Sequence, residues 1–121
     1  MKLAIVGSRE YPNLKQVREF VATLPKDTII VSGGAKGVDN EAERAAVANG
    51  LKTLIYFPNW SLGKKAGPLR NTSIVNACDH LIAFHDGESR GTQDSINKAK
   101  DSGKLAAVLG PEDPIPEIQF V

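Results

Sequence analysis

The chain has 121 residues, 41% of them hydrophobic and 24% charged, which suits one domain with a modest core. Its formal net charge of +1 argues against a strongly basic surface and sets nucleic acid aside as a partner. One cysteine excludes an internal disulfide, no apolar run is long enough to span a membrane, and the one-lysine start is too short in apolar residues for a signal peptide, so a cytoplasmic location is expected.

The first apolar segment, "LAIVG" from Leu3, reads as a strand closed by the turn Gly7-Ser8-Arg9. Leu14, Val17, Val21 and Leu24 then mark one face of a helix, with Pro25 past its end. "TIIVSG" from Thr28 reads as a second strand, and the turn Ser32-Gly33-Gly34-Ala35-Lys36-Gly37 leads into a helix over residues 38–49. Ala42, Ala45 and Ala46 would let that helix pack close to a sheet, and Gly50 suits its stop. "TLIYFP" from Thr53 is a third strand, followed by Pro58-Asn59-Trp60 and then Lys64 and Lys65. The next helix starts near Pro68, with Ile74, Ala77 and Cys78 facing inward. Cys78 reads as a small buried hydrophobe rather than a nucleophile. "HLIAFH" from His80 is a fourth strand, and His85-Asp86-Gly87 and Ser89-Arg90-Gly91-Thr92 lead to a helix over residues 92–102, with Ile96 and Ala99 inward. "KLAAVLG" from Lys104 is the fifth strand, and a proline-rich arm, residues 111–121, follows the domain of residues 1–110. Docking of Phe120 and Val121 on a neighbouring copy would suit a homo-oligomer, a dimer or larger.

Short, continuous apolar runs suit parallel strands buried on both faces. Their regular alternation with helices predicts an α/β three-layer sandwich around an open parallel sheet of five strands or more. Ligands of such sheets bind beyond the carboxyl ends of the strands. The unusual residues fall there. Gly7, Ser8 and Arg9 follow strand one, and residues 32–37 with Asp39 follow strand two. Trp60, Gly67, Arg70 and Asn71 follow strand three, and Glu88, Arg90, Gly91, Thr92 and Asp94 follow strand four. Helix N-termini and basic side chains at one sheet edge predict a site for a phosphate-bearing small molecule.

The glycine turn fits neither familiar phosphate loop. Gly37 is followed by Val38 and Asp39 where a P-loop needs Lys and Ser or Thr. The turn follows the second strand, whereas a dinucleotide fingerprint follows the first. Gly33, Gly34 and Gly37 are therefore read as allowing backbone amides to approach an anion. Asp39 reads as a helix cap or as an acceptor for a ribose hydroxyl. Trp60 reads as a core or lid residue ahead of a base-stacking one. His80 and His85 lack a ligand pattern around them, so no metal is expected, and no cofactor is implied.

Taken together, "VGSREY", "VSGGAKGVDNEAERAA", "AGPLRN" and "DHLIAFHDGESRGT" resemble the SLOG superfamily of Rossmann-like proteins, most of all its small YspA-like branch. The resemblance covers nearly the whole chain, from Leu3 to about Leu109. It implies a Rossmann-like domain whose ligand is a phosphorylated nucleotide or a nucleotide-derived signal, in a sensor or sponge role that extends to phage–bacteria defence. LOG proteins of the same superfamily are phosphoribohydrolases. Arg70 matches their helical Arg, and Gly91 and Thr92 match the G-T of their G-G-x-G-T-x-x-E pattern. Ser95 replaces the final Glu, so an N-glycosidase would need Arg70 with Glu88 or Asp94 as a substitute carboxylate. The core of the DNA-processing protein DprA carries a similar "SG-x-A-x-G-[IV]-D" turn and a later R-N, which implies single-stranded DNA binding as a further alternative.

Overall fold

Residues 1–117 are described by a computed structural model, and strand and helix alternate along them. The strands are β1 (Lys2–Gly7), β2 (Ile29–Ser32), β3 (Lys52–Ile55), β4 (His80–Phe84) and β5 (Leu105–Leu109). Between them lie α1 (Leu14–Ala22), α2 (Val38–Ala48), α3 (Ala66–Ala77) and α4 (Arg90–Asp101), with a 3-10 segment (Trp60–Lys65) running into α3. All five strands pair in parallel, in the order β3-β2-β1-β4-β5. This is the expected Rossmann-like α/β sheet.

The pleat of the central strand divides the core into two. Leu3 and Ile5 of β1 join Val17, Phe20 and Val21 of α1 and the alanines of α2 on one side. Ala4 and Val6 join Ile74, Val75 and Cys78 of α3 and Ile96 and Ala99 of α4 on the other. Burial on both faces explains the unbroken apolar runs of the inner strands. The outer strands differ, because each has a neighbour on one side only. β3 is partly exposed, and β5 alternates, with Val108 45% exposed. Cys78 is buried and its thiol donates to the Val75 carbonyl at 3.4 Å, and burial pushes its pKa up, as an inert packing residue requires.

Two helices start earlier than their proline and threonine signals suggest. α3 begins at Ala66, so Pro68 sits within its first turn, where a missing N–H leaves no bond unmade. α4 begins at Arg90 because Ser89 is the cap, accepting from the Thr92 amide at 3.2 Å. At α1, Asn13 accepts from the Gln16 amide at 3.3 Å.

The beginning of the proline-rich arm folds back on its own chain. Gln16 donates to the carbonyls of Gly110 and Asp113, at 2.9 and 2.8 Å, and Asn13 donates to the Pro111 carbonyl at 2.8 Å. The Tyr11 hydroxyl donates to Gln16, and Ile115 packs against the α1/α2 core. Phe120 and Val121, expected to meet a neighbour, lie outside the described residues. Among the described residues, no helix is long and apolar enough to cross a membrane.

Candidate functional site

The chain builds outward from β1 to β3 and then crosses to place β4 on the other side of β1. Such a switch opens a crevice at the carboxyl ends of the strands. A cleft of about 640 Å³ lies there. Of the residues singled out from the sequence, it gathers Gly7, Arg9, Ala35, Asp39 and Trp60. From α3 come Gly67, Arg70 and Asn71, and from the α4 side Glu88, Arg90, Gly91, Thr92 and Asp94. Ser8, Ser32, Gly33, Gly34, Lys36 and Gly37 do not line it.

The glycine turn points its amides at its own chain. The Gly34 amide donates to Glu43 at 3.0 Å, and the Ala35 amide donates to Asp39 at 3.3 Å. The Gly33 amide also bonds Asp39. Two internal carboxylates thus occupy the donors expected to face an anion. The glycines instead permit close packing. A Cβ on Gly33 would lie 2.5 Å from an Arg70 guanidinium nitrogen, and one on Gly34 would lie 2.4 Å from the Phe57 ring. Gly37 abuts the backbone of Ser8 and Arg9. Lys36 is exposed at the tip of the turn.

Asp39 does not cap α2. Gly37 holds the cap position without a side-chain bond, and Asp39, in the first helical turn, reaches back to the preceding loop. It is only 5% exposed. Burial pushes its pKa up to about 6, against the amides of Ala35 and Gly33 and the charge of Arg70, while Glu43 adds to the rise. The folded state therefore holds this proton more tightly than the unfolded chain does. Its contribution to stability is complete below the unfolded value near 3.8 and is lost as pH rises through about 6. The swing is at most on the order of 3 kcal/mol. In thermal melts, Asp39→Asn is expected to gain on the wild type as pH is raised from 5 to 8. An equal difference at both pH values would show that Asp39 titrates normally.

Arg70 is partly buried, and its bonds fix its direction. Nε donates to Asn71 at 3.0 Å, and Nη1 donates to the Gly33 carbonyl. Burial lowers its pKa, Asp39 opposes that, and the neighbouring charge of Arg9 adds to it. The group stays cationic regardless. Three arginines, Arg9, Arg70 and Arg90, thus line the cleft, where the first turns of α3 and α4 open through Gly67 and Gly91. The lining also carries Glu10, Asp39, Asp86, Glu88 and Asp94, so positive charge in the cleft is local to its arginines rather than general.

Several candidates prove to be engaged within the protein. Ser8 is 1% exposed, and its hydroxyl accepts from the Asp86 amide at 3.1 Å. Asp86 accepts from the amides of Glu88 and Ser89, at 2.9 and 3.1 Å, and the first of these leads in holding its carboxyl below the usual range. Thr92 is buried beside the Ser89 cap. Asp94 accepts from Asn71 at 3.0 Å and from Lys98 at 2.8 Å, so its carboxylate is already paired. Ser32 is fully buried, and its hydroxyl has no partner among the described residues. No cluster of three His, Cys, Asp or Glu side chains that could hold a metal occurs among the described residues.

Trp60 is not a core residue. It is 63% exposed on the rim of the cleft, and Phe57, which the sequence reading passed over, is 71% exposed against the glycine turn. The available signal was the run from Phe57 through Trp60 to Lys64 and Lys65, in which two aromatics lead into two lysines.

Comparison with known proteins agrees with this fold. The family model described as DNA recombination-mediator protein A matches residues 1–59. The "Gene 61 protein" of Mycobacterium phage D29 is 33% identical over 113 residues, covering 84% of this chain and 90% of that protein. The chain belongs to the family of this phage protein, and its first 59 residues match the DNA recombination-mediator protein A model. DNA processing protein DprA of Streptococcus pneumoniae is 44% identical over 96 residues, covering 71% of this chain but 31% of that protein. The crystal structure of S. pneumoniae DprA superposes with a TM-score of 0.79 at 28% identity, over 90% of this chain and 50% of that one. DprA from Helicobacter pylori shares the fold, with a TM-score of 0.64 at 23% identity, over 88% of this chain and 64% of that one. The chain thus spans a third to two thirds of the DprA proteins it matches. The H. pylori structure concerns a single-stranded DNA binding mode. The exclusion of nucleic acid drawn from overall charge is therefore overturned. A near-neutral total does not bar this fold from nucleic acid, because the charges that matter are local.

Proposed function

We propose that this protein binds single-stranded DNA across the carboxyl edge of its sheet. A backbone phosphate sits against Arg70 and Arg9, and bases stack on Trp60 and Phe57. The observation that carries this reading is the pairing of a tethered, partly buried Arg70 beside Arg9 with two exposed aromatic rings, Trp60 on the cleft rim and Phe57 against the glycine turn. Stacking on aromatic faces beside cations is how single strands are held without base reading. The DprA relationship supports the same choice.

The chain has one tryptophan, so its fluorescence reports Trp60 directly. Titration with an oligothymidylate at low salt is expected to quench it. The apparent affinity should fall with salt at a log–log slope of about −1 to −2, as one to three phosphate contacts require. Absence of both quenching and a gel shift at low salt would defeat the proposal.

A second reading follows from the same cleft. Its volume and its carboxylates Glu10 and Glu88 would suit the hydroxyls and amino groups of a nucleotide-derived signal, the ligand implied by a YspA-like relationship. Thermal stabilisation by a mononucleotide, NAD, ADP-ribose or a cyclic nucleotide, without quenching by oligothymidylate, would favour it. Release of free base, abolished in Arg70→Ala, would extend it to an N-glycosidase.

A further inference from the structure

Arg70 and Asn71 are adjacent on α3, and neighbouring residues on a helix do not face each other. Yet Arg70 Nε donates to Asn71 Oδ1 at 3.0 Å. The arginine stem is therefore bent across the first turn of α3, toward the Gly33 carbonyl that takes its Nη1. Asn71 is in turn fixed from another helix. It is 6% exposed, and its amide donates to the Gly91 carbonyl at 3.3 Å and to Asp94 at 3.0 Å. Asp94 accepts from Lys98 at 2.8 Å, and Lys98 also donates to the Pro68 carbonyl at 2.8 Å. The chain of bonds closes on itself, from α3 to α4 and back.

We propose that Asn71, clamped by Asp94 and Lys98, is the positioning residue that aims Arg70 into the cleft, so that the anion site is set jointly by α3 and α4. The clamp orients the guanidinium before any ligand arrives and lowers the ordering cost of binding. It also ties the direction of Arg70 to the Gly91 carbonyl in the first turn of α4. Asn71 touches no ligand; it acts through Arg70. This inference rests on the binding role proposed above, but the clamp itself is testable without a ligand.

The first measurement is the Arg70 Nε–H resonance in a proton–nitrogen spectrum of the free protein, assigned by its loss in Arg70→Ala. It should be protected from exchange with water in the wild type and broadened or lost in Asn71→Leu. An unchanged resonance in Asn71→Leu overturns the proposal. The second is a double-mutant cycle on oligothymidylate affinity. Asn71→Leu should weaken binding about tenfold in the wild-type background, the size of one charge-assisted hydrogen bond, and change nothing in the Arg70→Ala background. Equal losses in both backgrounds mean a general structural role and overturn it. The third is a swap. Asn71→Asp alone sets two carboxylates against each other and should weaken binding, whereas Asn71→Asp with Asp94→Asn restores an acceptor for Arg70 and a donor between the helices and should recover it. A swap no better than the single change also counts against the proposal. If wild type binds no oligonucleotide while the Arg70 resonance behaves as expected, the clamp stands and the DNA-binding reading falls.

Discussion

Gly37→Ala is expected to destabilise the fold by about 3–5 kcal/mol. The residue has φ +81° and ψ −124°, a region open in practice to glycine alone. A Cβ there would lie 2.4 Å from the Arg9 carbonyl oxygen and 2.6 Å from that of Ser8. Both obstacles are backbone, so no rotamer change relieves them. The Ser8 carbonyl also accepts from the amides of Tyr11 and Val38, each at 3.4 Å, so pushing it away breaks the contact between the β1 loop and the start of α2. Gly67→Ala is the control. Nothing lies near its Cβ, it sits within α3, and helix propensity favours alanine there by up to about 1 kcal/mol. Chemical denaturation of the two variants should separate them clearly. If Gly37→Ala unfolds within about 1 kcal/mol of wild type, the β1 and β2 loops do not meet as described.

The sheet was legible because burial on both faces writes itself into sequence as unbroken apolar runs, as in "LAIVG" and "HLIAF". The edge strands blurred that pattern, because half-covered strands tolerate residues such as Lys52 and the exposed Val108. The position of the cleft was also legible, since parallel topology alone sends the loops after β1 to β4 to one edge. The use of each loop residue was not. A glycine at positive φ serves an anion nest and a tight protein contact equally well, and only the positions of Phe57 and of the Ser8 and Arg9 backbone decide which. The same holds for Asp39, whose partners lie in the loop before it rather than at the helix start. Hydrophobicity left Trp60 open between core and lid, and the 3-10 segment carries it out to the rim. Arg70 meets Gly33 across 37 residues of sequence, a distance over which no local pattern operates.

Arg70→Ala should lower affinity for oligothymidylate by about 10- to 100-fold at low salt, as expected for charge-assisted hydrogen bonds to a phosphate. The log–log salt slope should shrink by about 0.7, the value of one lost phosphate contact on a single strand. Arg70→Lys should rescue only part of this. Lysine keeps the charge but lacks the planar fork that holds the Gly33 carbonyl, the Asn71 side chain and a phosphate at once. The change reaches Asp39 too. Arg70 is the opposite charge that restrains the pKa of this buried carboxyl, so its removal moves that pKa higher still than about 6. Asp39 in Arg70→Ala then holds its proton to higher pH, and the pH range over which stability declines moves upward with it. The two readouts are independent. A variant that melts as the wild type does at pH 5, shows the displaced pH profile and still binds oligothymidylate normally would remove Arg70 from the binding site while leaving its electrostatic role intact. Loss of binding together with the displaced profile would join the two roles in one side chain, with phosphate and Asp39 competing for the same guanidinium.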